Sequence, residues 1–177
     1  LVNDFRDYAR LPAAELKPVD LNSLVTDIFM LYEHDGLAVP VSLELDPACP
    51  PVMGDAQQLR QVVHNLIQNA QDASETVKTV DTGDRNVVVR TLFQPGVGRV
   101  RISVLDSGGG FPDHILKRAF EPYVTTKAKG TGLGLAVVKK IADEHGSRVD
   151  IVNRVVDGVV VGAQVSLSLG VGNTAPA

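Results

Sequence analysis

The stretch whose reading decides the fold is HNLIQNAQDA, residues 64–73. It lies in a longer segment, Ala56 to about Val77, where Leu59, Val62, Val63, Leu66, Ile67, Ala70 and Ala73 recur at helical spacing. That pattern predicts an amphipathic helix with one broad apolar stripe. At about 100° per residue, Asn65, Asn69 and Asp72 fall within about 60° of one another, roughly a quarter-turn from the centre of the stripe. Three amide or carboxylate groups therefore line the shoulder of a buried face. Such a row fits a solvated helix flank. An amide oxygen is also a neutral, hard donor of the kind that Mg²⁺ accepts beside substrate phosphates. His64 points away from both the stripe and Asn69, and it reads as a surface histidine.

Upstream, residues 1–10 have the spacing of a helix end (Leu1, Phe5, Tyr8), broken by Pro12, and Leu11 to Pro18 reads as a linker. Asp20 can cap a helix to about Tyr32, with Leu21, Leu24, Val25, Ile28, Phe29 and Leu31 as its apolar side and Gly36 as its end. Val39 to Leu45 alternates as a strand, and Pro47, Pro50 and Pro51 make the next connection. Downstream, a polar loop with Asp81, Gly83 and Asp84 leads to strands at Asn86–Phe93 and Arg99–Leu105, joined by a turn at Pro95–Gly98. Gly132–His145 is the third clear helix, ended by Gly146. Arg148–Val156 and Val159–Leu169 form a hairpin on the two-residue turn Asp157–Gly158. The fold class this order predicts is α/β: a two-layer sandwich in which one mixed, mostly antiparallel sheet is covered on one side by three helices.

The 177 residues suffice for one domain with its own core, and 44% hydrophobic against 21% charged residues excludes wholesale disorder. The single cysteine, Cys49, rules out an internal disulfide and a Cys-based zinc site. No apolar run approaches the about 18 residues of a membrane span. The opening residues do not read as a signal peptide. Beginning at Leu1 inside a helical pattern, the chain is expected to be part of something longer. The net charge of −4 argues against a nucleic-acid binder. Residues 117–140, however, hold six basic side chains (Lys117, Arg118, Lys127, Lys129, Lys139, Lys140) against one acid, Glu121, a local surplus of +5.

Two glycine clusters follow the helix. In VRISVLDSGGGF, Asp106 comes just after a strand, with Gly108 and Gly110 behind it. A carboxylate there can accept from a buried amino group such as that of adenine, and glycines let the backbone approach a flat ring; a plain polar turn is spelled the same way. In GTGLGL, Gly130, Gly132 and Gly134 open the last long helix. Free N–H groups at a helix start attract anions. Gly134 costs the helix about 1 kcal/mol relative to Ala, which either a nearby phosphate or close helix packing explains. Neither a Walker A loop nor a Rossmann fingerprint is present. Between the clusters runs a long aperiodic stretch, with Lys127 and Lys129 beside the second; loops of that length in compact domains are usually functional.

NLIQNAQDA at 65–73, DSGGG at 106–110, FEPYVTTK at 120–127 and GTGLGL at 130–135 resemble, in that order, the N, G1, F and G2 boxes of sensor histidine kinases. These belong to the ATP-binding superfamily of gyrase, heat-shock protein 90, histidine kinases and MutL. The resemblance covers residues 18–170 and implies a Bergerat-type ATP-binding fold with ATP and Mg²⁺ as cofactors. It implies Asn69 as the Mg²⁺ ligand, Asn65 beside the phosphates, Asp106 as acceptor for the adenine amine, and Gly108 and Gly110 lining the base pocket. Thr126, Lys127, Gly130, Thr131, Gly132, Leu133 and Gly134 are implied at the triphosphate, with the loop from about Phe111 to Thr131 as a lid. Asn65 and Lys127 are the implied catalytic groups.

One position separates the branches of that superfamily. Its hydrolysing members carry a Glu where this chain has Asn65. An amide takes no proton at neutral pH, which disfavours water activation. Neutral imidazole is nucleophilic without a strong base, so the resemblance implies a kinase rather than a mechanochemical ATPase. Asp72 departs from the basic residue many histidine kinases have three positions after the Mg²⁺ Asn. The NAQDA form and the opening DFRDYARLPAAELKPVDLN are similar to nitrogen-regulation kinases of the NtrY-like group.

The expected function is transfer of the ATP γ-phosphoryl to a histidine on a dimerisation domain outside this chain. The family's acceptor histidine lies in a helix with an acidic neighbour upstream of the catalytic domain, and none of His34, His64, His114 and His145 sits in that context. Residues 1–17 are expected to be the end of the dimerisation helix and a linker, 18–170 the catalytic domain, and 171–177 a disordered tail. The resemblance further implies a membrane-anchored homodimer with this domain on the cytoplasmic side, a response regulator as partner, and no nucleic acid. The alternatives are a serine kinase of the anti-sigma-factor type and a non-catalytic nucleotide-binding module.

Overall fold

The computed structural model describes residues 12–35, 39–75, 86–121 and 134–172. Strand β1 (Lys17–Val19) leads into helix α1 (Leu21–Asp35), then β2 (Val41–Glu44), β3 (Val52–Gly54) and helix α2 (Ala56–Glu75). After these come β4 (Val87–Gln94), β5 (Arg99–Leu105), a single turn α3 (Asp113–Leu116), helix α4 (Gly134–Glu144), and the hairpin β6 (Arg148–Val156) and β7 (Val159–Gly170). The main sheet has five strands in the order β2-β4-β5-β7-β6. β2 runs parallel to β4 and every other pairing is antiparallel. A mixed, mostly antiparallel sheet with its long helices on one face is the predicted α/β sandwich. The expected helix at 1–10 lies outside the described residues.

Two strands were hidden in segments that read as linkers. β1 and β3 pair antiparallel, Pro18 opposite Met53, as a separate two-stranded sheet. Each is three residues long, and β1 carries a proline, so no alternation could mark them. The segment before β1 also packs on the domain: the Glu15 N–H donates to Asp55 Oδ2 at 3.0 Å and Gln58 Nε2 donates to the Pro12 carbonyl at 2.7 Å. At the other end, Val171 bridges Val52 and the Gly172 N–H donates to the Pro51 carbonyl at 2.8 Å.

The helix boundaries follow local chemistry. Asp20 Oδ1 accepts the Ser23 N–H at 3.1 Å and caps α1, and Asp55 Oδ1 accepts from Gln57 and Gln58 at 3.1 and 3.2 Å to cap α2. The hairpin turn is as read: Asp157 and Gly158 have φ of 51° and 78°, both left-handed, as a two-residue turn with the twist of the strands requires. The helix opening on Gly132 in the sequence reading is described only from Gly134.

Alternate strand residues Val87, Val89, Val100, Ile102, Val104, Val165, Leu167 and Leu169 are buried, packed against Leu24, Val25, Leu66, Ile67, Val137 and Ile141 of the three long helices in one core. Leu31 departs from the expected apolar side of α1, being 70% exposed. In the last turns of α1 it is Tyr32, not Leu31, that reaches α2, where its ring stacks on His64 with centroids 5.8 Å apart. Among the described residues no helix is long and apolar enough to cross a membrane.

One buried amide ties α2 to the sheet edge. Gln71 Oε1 accepts the Val39 N–H at 2.9 Å and its Nε2 donates to the Val39 carbonyl at 2.6 Å, so the side chain pairs with the backbone as a strand does. Both residues are buried, and a buried backbone group left unpaired costs about 1–3 kcal/mol. Gln71→Ala is expected to destabilise the domain by about 2–4 kcal/mol, read as a lowered urea midpoint with an unchanged slope.

Candidate functional site

The polar shoulder of α2 faces the start of α4. Asn65 Nδ2 reaches the Gly134 carbonyl at 3.5 Å, and the Asn69 amide group lies beside Gly134, with Nδ2 and Oδ1 3.5 and 3.6 Å from an ideal Cβ. Both asparagines are half-buried, as a shoulder position requires. A side chain at Gly134 would meet the Asn69 amide at ordinary contact distance. Asp72 accepts from Gln68 Nε2 at 3.2 Å, four residues back on the same helix. His64 is exposed, and the Tyr32 hydroxyl shares a hydrogen bond with its Nδ1. It lies on another face of α2 from the asparagines, in agreement with the sequence reading.

Two turns further along α2, the first glycine cluster meets the helix end. The Ser107 N–H donates to Ser74 Oγ at 3.1 Å. Gly108 lies so close to the helix that a Cβ would stand 2.7 Å from the Ala73 carbonyl oxygen. Asp106 is 7% exposed. Its Oδ1 accepts two backbone N–H groups, from Gly108 and Ala163, each at 2.9 Å. Those bonds orient the carboxylate and leave Oδ2 outside the cradle. Burial pushes the Asp106 carboxyl above the usual aspartate value, opposed by the two amide hydrogen bonds and by the nearby Arg154 charge. Gly110 takes a left-handed φ of 73° against β6 and β7, where a Cβ would lie 2.6 Å from Val160 Cγ1 and 2.8 Å from Asn153 Oδ1.

The structure thus brings Asn65, Asn69 and Gly134 together at one place on α2, and Asp106 and Gly108 together at its end, with Gly110 beyond them. Thr126, Lys127, Gly130, Thr131, Gly132 and Leu133, together with the rest of the second glycine cluster before Gly134, lie outside the described residues. Sequence reasoning missed four residues that shape the site. Ser74 is fully buried under Ser107. Asn153 and Arg154 of β6 bond the Asp106–Phe111 loop. Gly162 of β7 passes so close that a Cβ would stand 2.0 Å from the Asp106 carbonyl oxygen. Only Gly162 left a signal, since a glycine inside a strand often marks a close backbone approach.

Residues 54–172 match the family described as histidine kinase-, DNA gyrase B- and HSP90-like ATPase. The chain belongs to that family. Among curated relatives, a putative sensor histidine kinase NtrY-like protein of Rickettsia bellii is 32% identical over 167 residues, covering 94% of this chain and 26% of the relative. The sensor histidine kinase ZraS of Klebsiella oxytoca is 36% identical over 152 residues, covering 85% and 31%. This chain therefore spans about a quarter to a third of the curated relatives it matches. Among solved structures, the nucleotide-free catalytic domain of histidine kinase ThkA superposes with a TM-score of 0.70 at 28% identity, over 88% of this chain and 95% of that one. Full-length ShkA in complex with AMPPNP gives 0.77 at 28% identity, over 97% of this chain and 35% of that one. The fold is that of histidine kinase catalytic domains, and the family span holds α2, the Asp106 loop and the β6–β7 hairpin alike.

In this ATPase-family domain Gly162→Ala is the sharpest steric probe of the site. The new methyl meets backbone, not a flexible side chain, so the Asp106 carbonyl has to move. The expected outcome is a loss of about 1–3 kcal/mol in stability, with the largest amide chemical-shift changes at Asp106 to Phe111.

Proposed function

We propose that this chain is the ATP-binding catalytic domain of a sensor histidine kinase, which holds Mg–ATP and presents its γ-phosphoryl to a histidine on a dimerisation domain outside the chain. The observation that carries the reading is the layout along one edge of α2. Asn65 and Asn69 lie against the first residue of α4, and eight residues on from Asn65, about 12 Å along the helix, Ala73 and Ser74 seat the loop that holds a buried carboxylate. One end offers neutral oxygen donors, the other a fixed acceptor, and an elongated ligand with a phosphate tail and an amino-bearing base fits both.

Each residue then has a task. Asp106 Oδ2 accepts the adenine amine, while Oδ1 is held by the amides of Gly108 and Ala163. Gly108 lets the loop lie flat on α2 under the base. The Asn69 amide oxygen is the candidate Mg²⁺ ligand. As a neutral hard donor, half-buried beside the first residue of α4, it fits an ion that uses one or two protein ligands and takes the rest from phosphates and water. Bound there, Mg²⁺ supplies charge neutralisation for the phosphate oxygens. Asn65 orients the phosphates without accepting a proton, and Lys127, Thr126, Gly130, Thr131, Gly132 and Leu133 complete the phosphate end. Catalysis of this kind is positioning and electrostatics. Transfer to histidine is supported by the relatives named sensor histidine kinases, and a regulator partner by the structure of ThkA in complex with response regulator protein TrrA. Residues 1–17 as helix end and linker, 18–170 as catalytic domain, and a membrane-anchored, cytoplasm-facing dimer belong to the same proposal.

Titration of the domain with Mg–ATP tests the site. Asn69→Asp is expected to weaken binding at least about tenfold, near 1.4 kcal/mol. Asp106→Asn is expected to do so selectively. Its amide oxygen stays with the two N–H donors, so the NH₂ group faces the adenine amine, donor against donor, and preference for ATP over GTP falls. If both variants bind as the parent does, the assignment is wrong.

Acidification gives a second readout. Because burial raises the Asp106 pKa, its carboxylate becomes protonated as pH falls through a value above the ordinary about 3.9. ATP affinity is expected to drop across that window, and Asp106→Asn to flatten the profile. The linked stability runs the other way: the native state holds the proton more tightly than the unfolded chain, so this group's contribution is greatest below the ordinary value and is lost as pH rises through the raised one.

Activity is tested by adding a dimerisation domain from an NtrY-like relative. Acid-labile phosphohistidine is the expected product. Acid-stable phosphoserine, or ATP binding with no transfer to any such domain, would favour the anti-sigma-type kinase or the binding module.

A further inference from the structure

The loop from Asp106 to Phe111 is gripped at both ends by two consecutive residues of β6. Asn153 Oδ1 accepts the Phe111 N–H at 2.8 Å and its Nδ2 donates to the Phe111 carbonyl at 2.8 Å. One side-chain amide thus satisfies both backbone groups of Phe111, as a neighbouring strand would. Next to it, Arg154 Nη1 donates to the Asp106 carbonyl at 2.5 Å. The register explains how both are reached. Asn153 pairs with Ala163, whose N–H holds the Asp106 carboxylate, and Arg154 pairs with Gly162, which has no side chain to block the way to Asp106. Successive residues of a strand point to opposite faces. Asn153 shares the face of buried Ala163 and grips the far end of the loop, while Arg154 grips the near end from the other face.

We propose that Asn153, assisted by Arg154, is a positioning residue for base recognition: it sets where the Asp106–Phe111 loop lies, and so how strictly the site selects adenine. This rests on the reading of Asp106 as the acceptor for the adenine amine. The start of the loop is also held by Ala163, Ser74 and Asn86, with Gly108 packed on α2; from Gly109 onward, among the described residues, Asn153 is its chief hold. The loop's middle residue, Gly109, is exposed, and a Cβ there would touch nothing within 4 Å. Gly110 holds its left-handed turn directly against the Asn153 amide. With the amide gone, Phe111 loses both these partners at once, and Gly110 is free to shift at the rim of the base pocket while Gly108 stays on α2. The carboxylate itself stays tied to Ala163. The loss therefore falls on the shape of the base pocket more than on the presence of its acceptor.

The experiment compares ATP and GTP binding, in the presence of Mg²⁺, to the parent domain, Asn153→Ala, Arg154→Met and Asp106→Asn, together with amide hydrogen exchange. For Asn153→Ala the expected result is a fall of about five- to tenfold in ATP-over-GTP preference, the scale of one or two lost hydrogen bonds. Faster exchange at the Phe111 N–H accompanies it, and the Ala163 N–H stays protected. Arg154→Met, which keeps the stem and drops the guanidinium, is expected to give a smaller fall in the same direction. Asn153→Asp keeps the acceptor but sets a carboxylate against the Phe111 carbonyl, and should be no better than Asn153→Ala. A general loss of stability would speed exchange throughout the sheet and weaken ATP and GTP alike; that pattern overturns the proposal. So does an unchanged preference in Asn153→Ala while Asp106→Asn loses it. If Asp106→Asn itself keeps the parent preference, the base-site reading falls, and the role of Asn153 in base selection falls with it.

Discussion

The site depends on how α2 is seated on the sheet. Leu59, Val62, Val63, Leu66, Ile67 and Ala70 are each at most 3% exposed, so the rotation of the helix about its axis is set by its deepest contacts. With that rotation settled, Asn65 and Asn69 have one direction to face, toward the start of α4, and Ala73 and Ser74 one loop to meet. A helix turned by one residue, about 100°, would bury an amide and point a leucine at the ligand. The burial of an apolar stripe thus determines the aim of polar groups that contribute little to stability themselves.

A second theme is the side-chain amide used in place of a strand. Gln71 pairs both backbone groups of Val39, and Asn153 pairs both of Phe111. Each sits where the sheet runs out and the chain still needs partners for N–H and C=O groups, buried at Val39 and half-buried at Phe111. Val39 enters β2 at one edge of the sheet; Phe111 leaves the β5 end toward the other. An amide has a donor and an acceptor side by side, so a single residue can end a sheet edge without another strand. The same geometry anchors segments on either side of the candidate site to rigid elements.

Much of the fold was legible because its helices and long strands have strong periodicity. The stripe on α2, the alternation in β4 and β5 and the Asp157–Gly158 turn all follow from residue spacing and local sterics. β1 and β3 were not legible, since three residues hold too little alternation and a proline argues against a strand. The exposure of Leu31 was not legible either: its spacing matches the apolar side of α1, but the contact there is made by Tyr32 on His64.

For the site, local chemistry announced the residues that touch a ligand in the proposed reading. A pair of asparagines on a helix shoulder, an aspartate after a strand and glycines at a helix start are unusual enough in combination to be seen in one dimension, and all lie within the span the family matches. What one dimension could not disclose is what holds them. Ser74, Asn153, Arg154 and Gly162 act from 33 to 56 residues away from their partners in the Asp106–Phe111 loop, through backbone groups that carry no sequence signature of their own. Asn153 in RVDIVNRVV looks like any polar residue in an edge strand. Only pairing β6 with β7, and β7 with the end of β5, places its amide on Phe111. By itself the sequence determined which groups exist and on which face of their own element they stand, because helix and strand periods are local. The tertiary structure decided which faces meet, because that is settled by burial of the whole core at once.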